Sequence, residues 1–155
     1  MSDDPEKFLS QKKGKILFVG IGNVLKQDDG IGVWISNRIK NTESVTALTA
    51  EVSIENYIGK INSLRPDTLV LIDCVDMNAE PGSFKLLEVN QIIDLTFNTH
   101  NISLKKLAGF FKMPVYILGI QPEKIDFGEN ISYLVQAAGN KIVELINKQE
   151  VNNVS

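Results

Sequence analysis

Two adjacent carboxylates, Asp28-Asp29, stand between the turn Gly20-Ile-Gly22 and the stretch Gly30-Ile-Gly32. Another, Asp73, directly follows the apolar run Thr68-Leu-Val-Leu-Ile72, with Asp76 further into the same loop. The only histidine, His100, sits in Thr99-His-Asn101. Two aspartates and an imidazole make an oxygen/nitrogen set that can hold a borderline divalent ion and leave positions open for ligands brought by a substrate. Histidine also titrates nearest to neutral pH. Each residue taken singly has a plainer reading. A strand-end aspartate often bonds nearby loop backbone, and a lone histidine is more often structural than ligating. Of the adjacent pair, Asp28 is expected to cap the following helix, where an acceptor and a negative charge are both favoured. Asp29, Asp73 and His100 are then the candidate set. Their spacing leaves open whether they converge.

Other chemistries have less support. Gly20-x-Gly22 would need a third glycine to complete a dinucleotide fingerprint, and that position is Leu25. The turn fits a nucleotide- or cofactor-binding module and an unliganded strand-to-loop turn about equally well. A Gly-x-Ser-x-Gly elbow is absent, and one histidine cannot build a His-Glu-x-x-His zinc helix. Cys74 lies in an apolar stretch without a basic neighbour to lower its pKa, so it reads as a small packed residue.

These residues need a scaffold, and the chain has one of ordinary size. Its 155 residues, 43% hydrophobic, suit a single domain with one core. The net charge of −3 and the lack of a basic cluster beyond Lys12-Lys13 argue against a nucleic-acid partner. A single cysteine fits a reducing compartment. The N-terminus lacks an apolar signal region, and the apolar runs are far short of the roughly 20 residues that span a bilayer. A cytoplasmic protein without a membrane partner is expected. Residues 1–14 read as a mobile leader, 15–148 as one α/β domain and 149–155 as a tail.

Short apolar runs at 15–19, 68–72 and 115–118 read as buried strands, with weaker strand signals at 45–52 and 83–89. Helical spacing marks Ile31, Trp34, Ile35 and Ile39, then Ile54 to Leu64, Ser103 to Phe111 and Ile131 to Ile146. Strands alternating with helices predict an α/β fold, a mainly parallel sheet covered on both faces. In such sheets function gathers beyond the carboxyl ends of the strands. Gly20 to Asp29, Asp73 to Asp76 and Gly119 to Pro122 all fall there.

The segments Gly20-Ile-Gly-Asn-Val-Leu-Lys-Gln-Asp-Asp-Gly-Ile-Gly32, Leu71-Ile-Asp-Cys-Val-Asp-Met77, Thr99-His-Asn-Ile-Ser-Leu104 and Leu118-Gly-Ile-Gln-Pro122 together resemble the nickel–iron hydrogenase maturation endopeptidases. They occur in that family's order, and the likeness runs from about Lys15 to the last helix. Ser63-Leu-Arg-Pro66 through Pro81-Gly82 is most similar to the branch that processes formate-hydrogenlyase-type, energy-converting hydrogenases. Glu51-Val52-Ser53 replaces a Gly-Gly-Ser/Thr turn that many members carry. The resemblance implies a three-layer sandwich around a twisted five-stranded sheet. It implies removal of a C-terminal peptide from the precursor of a [NiFe] hydrogenase large subunit, with nickel carried by that substrate. It places the metal-binding positions on Asp29, Asp73 and His100, and Asp29 or Asp73 could then serve as a catalytic base. A nucleotide-binding module and an inactive assembly adaptor remain alternatives. Gly20-Ile-Gly-Asn23 with Asn101 also resembles peptidyl-tRNA hydrolases, though the acidic balance disfavours an RNA substrate.

Overall fold

Continuous apolar runs become the middle of the sheet. In the computed structural model, which describes residues 4–89 and 106–148, β1 (Ile16–Ile21) is buried at every position. β2 (Val45–Glu51) and β3 (Thr68–Cys74) flank it, both parallel. β5 (Val115–Ile120) runs parallel to β3 on the far side, and β4 (Phe84–Glu88) pairs antiparallel with β5 at the edge. The order is β2-β1-β3-β5-β4. The link 75–83 is too short for the helical crossover that a parallel neighbour needs. β4 therefore returns antiparallel and leaves a place for β5.

Each strand serves two cores because its alternate residues face opposite sides. Ile16, Phe18, Val70, Ile72, Leu118 and Ile120 pack with Ile31 and Ile35 of α2 (Ile31–Ser36) and with Val135 and Ile142 of α4 (Tyr133–Asn147). Leu17, Val19, Leu69, Leu71 and Ile117 pack instead with Ile61 of α3 (Ile58–Leu64), with Ile54, and with Leu107 and Phe111 of the segment before β5. This is the expected three-layer α/β sandwich with a mainly parallel five-stranded sheet. Phe18 is fully buried at its centre, where truncation to alanine would cost about 3–5 kcal/mol.

Within the stretch 1–14 read as a mobile leader, residues Pro5–Ser10 form a short helix, α1. Asp4 caps it by accepting from the backbone N–H groups of Glu6 and Lys7, and Pro5 occupies the first turn, where its missing N–H does no harm. Leu9 is wholly buried in the α2/α4 core, and Lys12 Nζ donates to the carbonyls of Leu9 and Leu145. The tail 149–155 and part of the helix expected at 103–111 lie outside the described residues.

Candidate functional site

The strand order makes a crevice beside β1. The chain leaves β1 through α2 to reach β2 on one side, then returns through α3 to β3 on the other. Such a reversal opens a gap at the carboxyl ends of the two central strands. Asp73 is the next-to-last residue of β3, and Asp29 lies in the 3-10 turn Gln27–Gly30 that leads from β1 into α2.

Glycine brings these two residues to one place. Gly32 presses against the ends of β1 and β3 so closely that a Cβ there would overlap the carbonyl oxygens of Ile72 and Ile21. Gly22, at φ 133°, lies directly under Asp29. A Cβ on Gly22 would overlap the Asp29 carbonyl oxygen and stand 3.7 Å from Asp73 Oδ1. The Gly20-x-Gly22 turn is thus filled by the protein's own backbone. Carbonyl oxygens occupy the space where a phosphate would have to lie, which counts against a nucleotide cradle. Asp29 is half-buried, and its Oδ2 accepts from Asn23 N–H at 2.9 Å. Asp73 is 1% exposed, and its Oδ1 accepts from Cys74 N–H at 2.8 Å.

Asp28 does not cap α2, contrary to expectation. Gly30 is the N-cap of that helix, without a side-chain cap bond. Asp28 is instead fully buried and turned toward the loop before α4. Its Oδ2 accepts from Glu123 N–H (2.8 Å), Lys124 N–H (2.9 Å) and the Ser132 hydroxyl (2.8 Å), while Oδ1 accepts from Ser132 N–H (2.6 Å). Burial pushes the Asp28 carboxyl up, but the N–H groups of Lys124, Ser132 and Glu123, with the Ser132 hydroxyl, outweigh it and hold the group below its ordinary pKa. Gln27 N–H donates to the Gly128 carbonyl, Gly128 N–H to the Leu25 carbonyl, and Lys26 bridges to Gly128. The two loops form one latched unit.

Asp76 belongs to the frame. It is exposed, accepts from Asn78 N–H and from Gln121 Nε2, and those two bonds, the backbone one foremost, lower its pKa. Gln121 is buried, and its Oε1 accepts from Met77 N–H (2.6 Å) and Ala79 N–H (3.3 Å), which pins the loop after Asp73. The Cys74 thiol is pushed far up by burial, then by the carboxylates of Asp73, Asp29, Asp28 and Asp76. It stays protonated and is no nucleophile.

Asp29 and Asp73 thus lie at one crevice, on either side of Gly22, with carboxyl oxygens of the kind that can take a cation or a water proton. His100 lies outside the described residues, and among those described no group of three or more His, Cys, Asp or Glu is arranged to hold a metal. The sequence did not signal the roles of Gln121 and Ser132. Ser132 immediately precedes α4 and reads as its cap, yet its hydroxyl donates to Asp28. Among the described residues no helix is long and apolar enough to cross a membrane.

Comparison with known proteins places these features in context. The family described as hydrogenase maturation protease matches residues 34–149. A putative hydrogenase maturation protease of Methanocaldococcus jannaschii is 30% identical over 146 residues, which cover 85% of this chain and 86% of that protein. The hydrogenase 3 maturation protease of Escherichia coli K12 is 29% identical over 113 residues, covering 69% and 72%. The crystal structure of a [NiFe] hydrogenase maturation protease HycI from Thermococcus kodakarensis superposes with a TM-score of 0.78 at 27% identity, covering 92% of this chain and 95% of that one.

Proposed function

Since this chain belongs to the hydrogenase maturation protease family, we propose that it is the endopeptidase that removes a C-terminal peptide from the nickel-loaded precursor of a [NiFe] hydrogenase large subunit. The observation that carries this reading is the meeting of Asp29 and Asp73 at the β1/β3 crevice, across a glycine that leaves room for both. We place the chain with proteases of the formate-hydrogenlyase-type branch, on its 63–82 segment and its similarity to the hydrogenase 3 maturation protease.

Nickel enters as part of the substrate. A precursor that carries the ion presents a cation with unfilled positions to Asp29, Asp73 and His100. That set is matched to a divalent ion. The empty precursor brings no charge to balance the carboxylates, so the difference in binding selects the loaded state. Docking the metal also seats the adjoining tail in the crevice and gives the reaction its proximity. One of the two carboxylates takes a proton from the attacking water as its oxygen bonds to the scissile carbonyl carbon, and returns that proton to the amine that leaves when the C–N bond breaks.

The test is cleavage of nickel-loaded and nickel-free precursor from the same organism, followed at the precursor C-terminus by intact mass spectrometry. Asp29→Asn and His100→Ala run beside the wild type. Loss of a peptide from the loaded precursor alone, and in the wild type alone, is expected. Equal cleavage of both precursors would remove nickel sensing. No cleavage of a competent loaded precursor would leave the adaptor reading.

A further inference from the structure

The latched loops beside Asp29 expose apolar side chains that the fold does not use. Phe127 is 86% and Tyr133 85% exposed, and Leu25 and Ile125 are each 55% exposed. Scattered apolar surface residues are ordinary. These four differ because they ride on two segments cross-bonded through Asp28, Gln27 and Gly128, so they are held out rather than frayed. Fixed, exposed aromatic groups are the usual anchors of a protein interface. The ridge also adjoins the crevice along the chain, since Leu25 stands two residues before the turn Gln27–Gly30 that carries Asp29.

Charge says what kind of partner fits. The segments at the carboxyl ends of the parallel strands, 22–30, 51–57, 73–83 and 121–132, hold ten of the chain's 19 acidic residues and two of its 16 Lys and Arg. This end is strongly negative although the chain as a whole carries only −3. A second copy docked ridge to ridge would bring two such ends together, and like charges facing each other are rejected.

We infer that the ridge of Leu25, Ile125, Phe127 and Tyr133 is the docking surface for the precursor, and that it takes a segment whose apolar side chains are flanked by Lys and Arg. This rests on the protease reading and adds to it a recognition element separate from the metal. Apolar anchors set the register of the segment, and the surrounding acidic field draws its basic flanks toward Asp29.

The experiment compares wild type with the double variant Phe127→Ser/Tyr133→Ser and with Glu129→Lys, using the nickel-loaded precursor. Both replaced aromatic groups are exposed, so melting temperatures should agree with wild type. Steady-state cleavage should show KM raised at least about tenfold in the double variant with kcat kept within about twofold. Glu129→Lys should raise KM less and flatten its dependence on salt between about 50 and 300 mM. An unchanged KM in the double variant, from a wild type that cleaves, overturns the inference. If the wild type does not cleave, the protease reading fails, and immobilised precursor still decides the docking surface, because binding must be weakened by the double variant. Sedimentation of the free proteins covers the remaining occupant: a wild-type dimer dissolved by the double variant would assign the ridge to self-association and overturn the proposal.

Discussion

Asp28→Asn isolates what the latch contributes, because the amide keeps the shape and changes only charge and donor pattern. The wild-type carboxylate accepts three bonds on Oδ2 and one on Oδ1, all while fully buried. The best orientation of asparagine keeps its oxygen toward Glu123, Lys124 and the Ser132 hydroxyl. Its NH2 group then meets Ser132 N–H, donor against donor. That leaves one buried backbone donor unsatisfied, at about 1–3 kcal/mol, and weakens three bonds from charge-assisted to neutral. Removing a buried charge returns some of this, so a net loss of about 2–4 kcal/mol is expected. For a chain of this size that lowers Tm by roughly 5–15 °C.

The same substitution has a pH signature. The folded pKa of Asp28 lies below its unfolded value. Its contribution is therefore fully present above the unfolded pKa of about 3.9 and is lost as pH falls through the lower folded value. The Tm gap between wild type and variant should stay constant from neutrality to about pH 5 and narrow below about pH 4. Hydrogen exchange should quicken first at the amides of Glu123, Lys124 and Ser132. A Tm gap below about 1 °C, unchanged exchange at those amides, or a gap that widens with acid would each refute the latch.

Gly22→Ala should destabilise by about 3 kcal/mol or more and abolish cleavage, since its Cβ meets rigid backbone at a φ of 133°; urea unfolding reads the first and the precursor assay the second. Glu51 adopts φ 55°, a left-handed conformation, and its carbonyl accepts from Gly22 N–H. Glu51→Gly should raise stability by about 0.5–1 kcal/mol with cleavage retained, because relief of left-handed strain exceeds the added chain entropy; a lower Tm would count against that. Cys74 should resist iodoacetamide at pH 8 in the folded protein and react once unfolded, and Cys74→Ala should keep cleaving; rapid labelling of the native thiol would contradict its half-buried, protonated state.

The sheet was legible because burial on both faces writes itself as unbroken apolar runs, seen in β1, β3 and β5. Asp73 was legible for a related reason: a carboxylate ending such a run must emerge at the strand's end. The helix α1 was passed over, since its six residues are too few for a period to show, although Asp4-Pro5 already carried its cap and first turn. Asp28 was misread as a helix cap because that rule is local, while its partners Glu123, Lys124 and Ser132 come from the far end of the chain. The backbone at Glu51 was not legible either: its positive φ is the conformation glycine favours, and a glutamate does not announce it.

The place of β5 in the sheet bears on how the protein comes off the ribosome. β4 is made before β5, yet β5 is the strand that β4 bonds to, and β5 also covers the open side of β3. A nascent chain that has reached residue 114 therefore still lacks the strand that fills the edges of β3 and β4, edges that can pair with another extended chain. The loop that closes on Asp28 emerges later still. A product truncated before β5 is thus expected to expose those two edges and to lack the loop that holds Asp28.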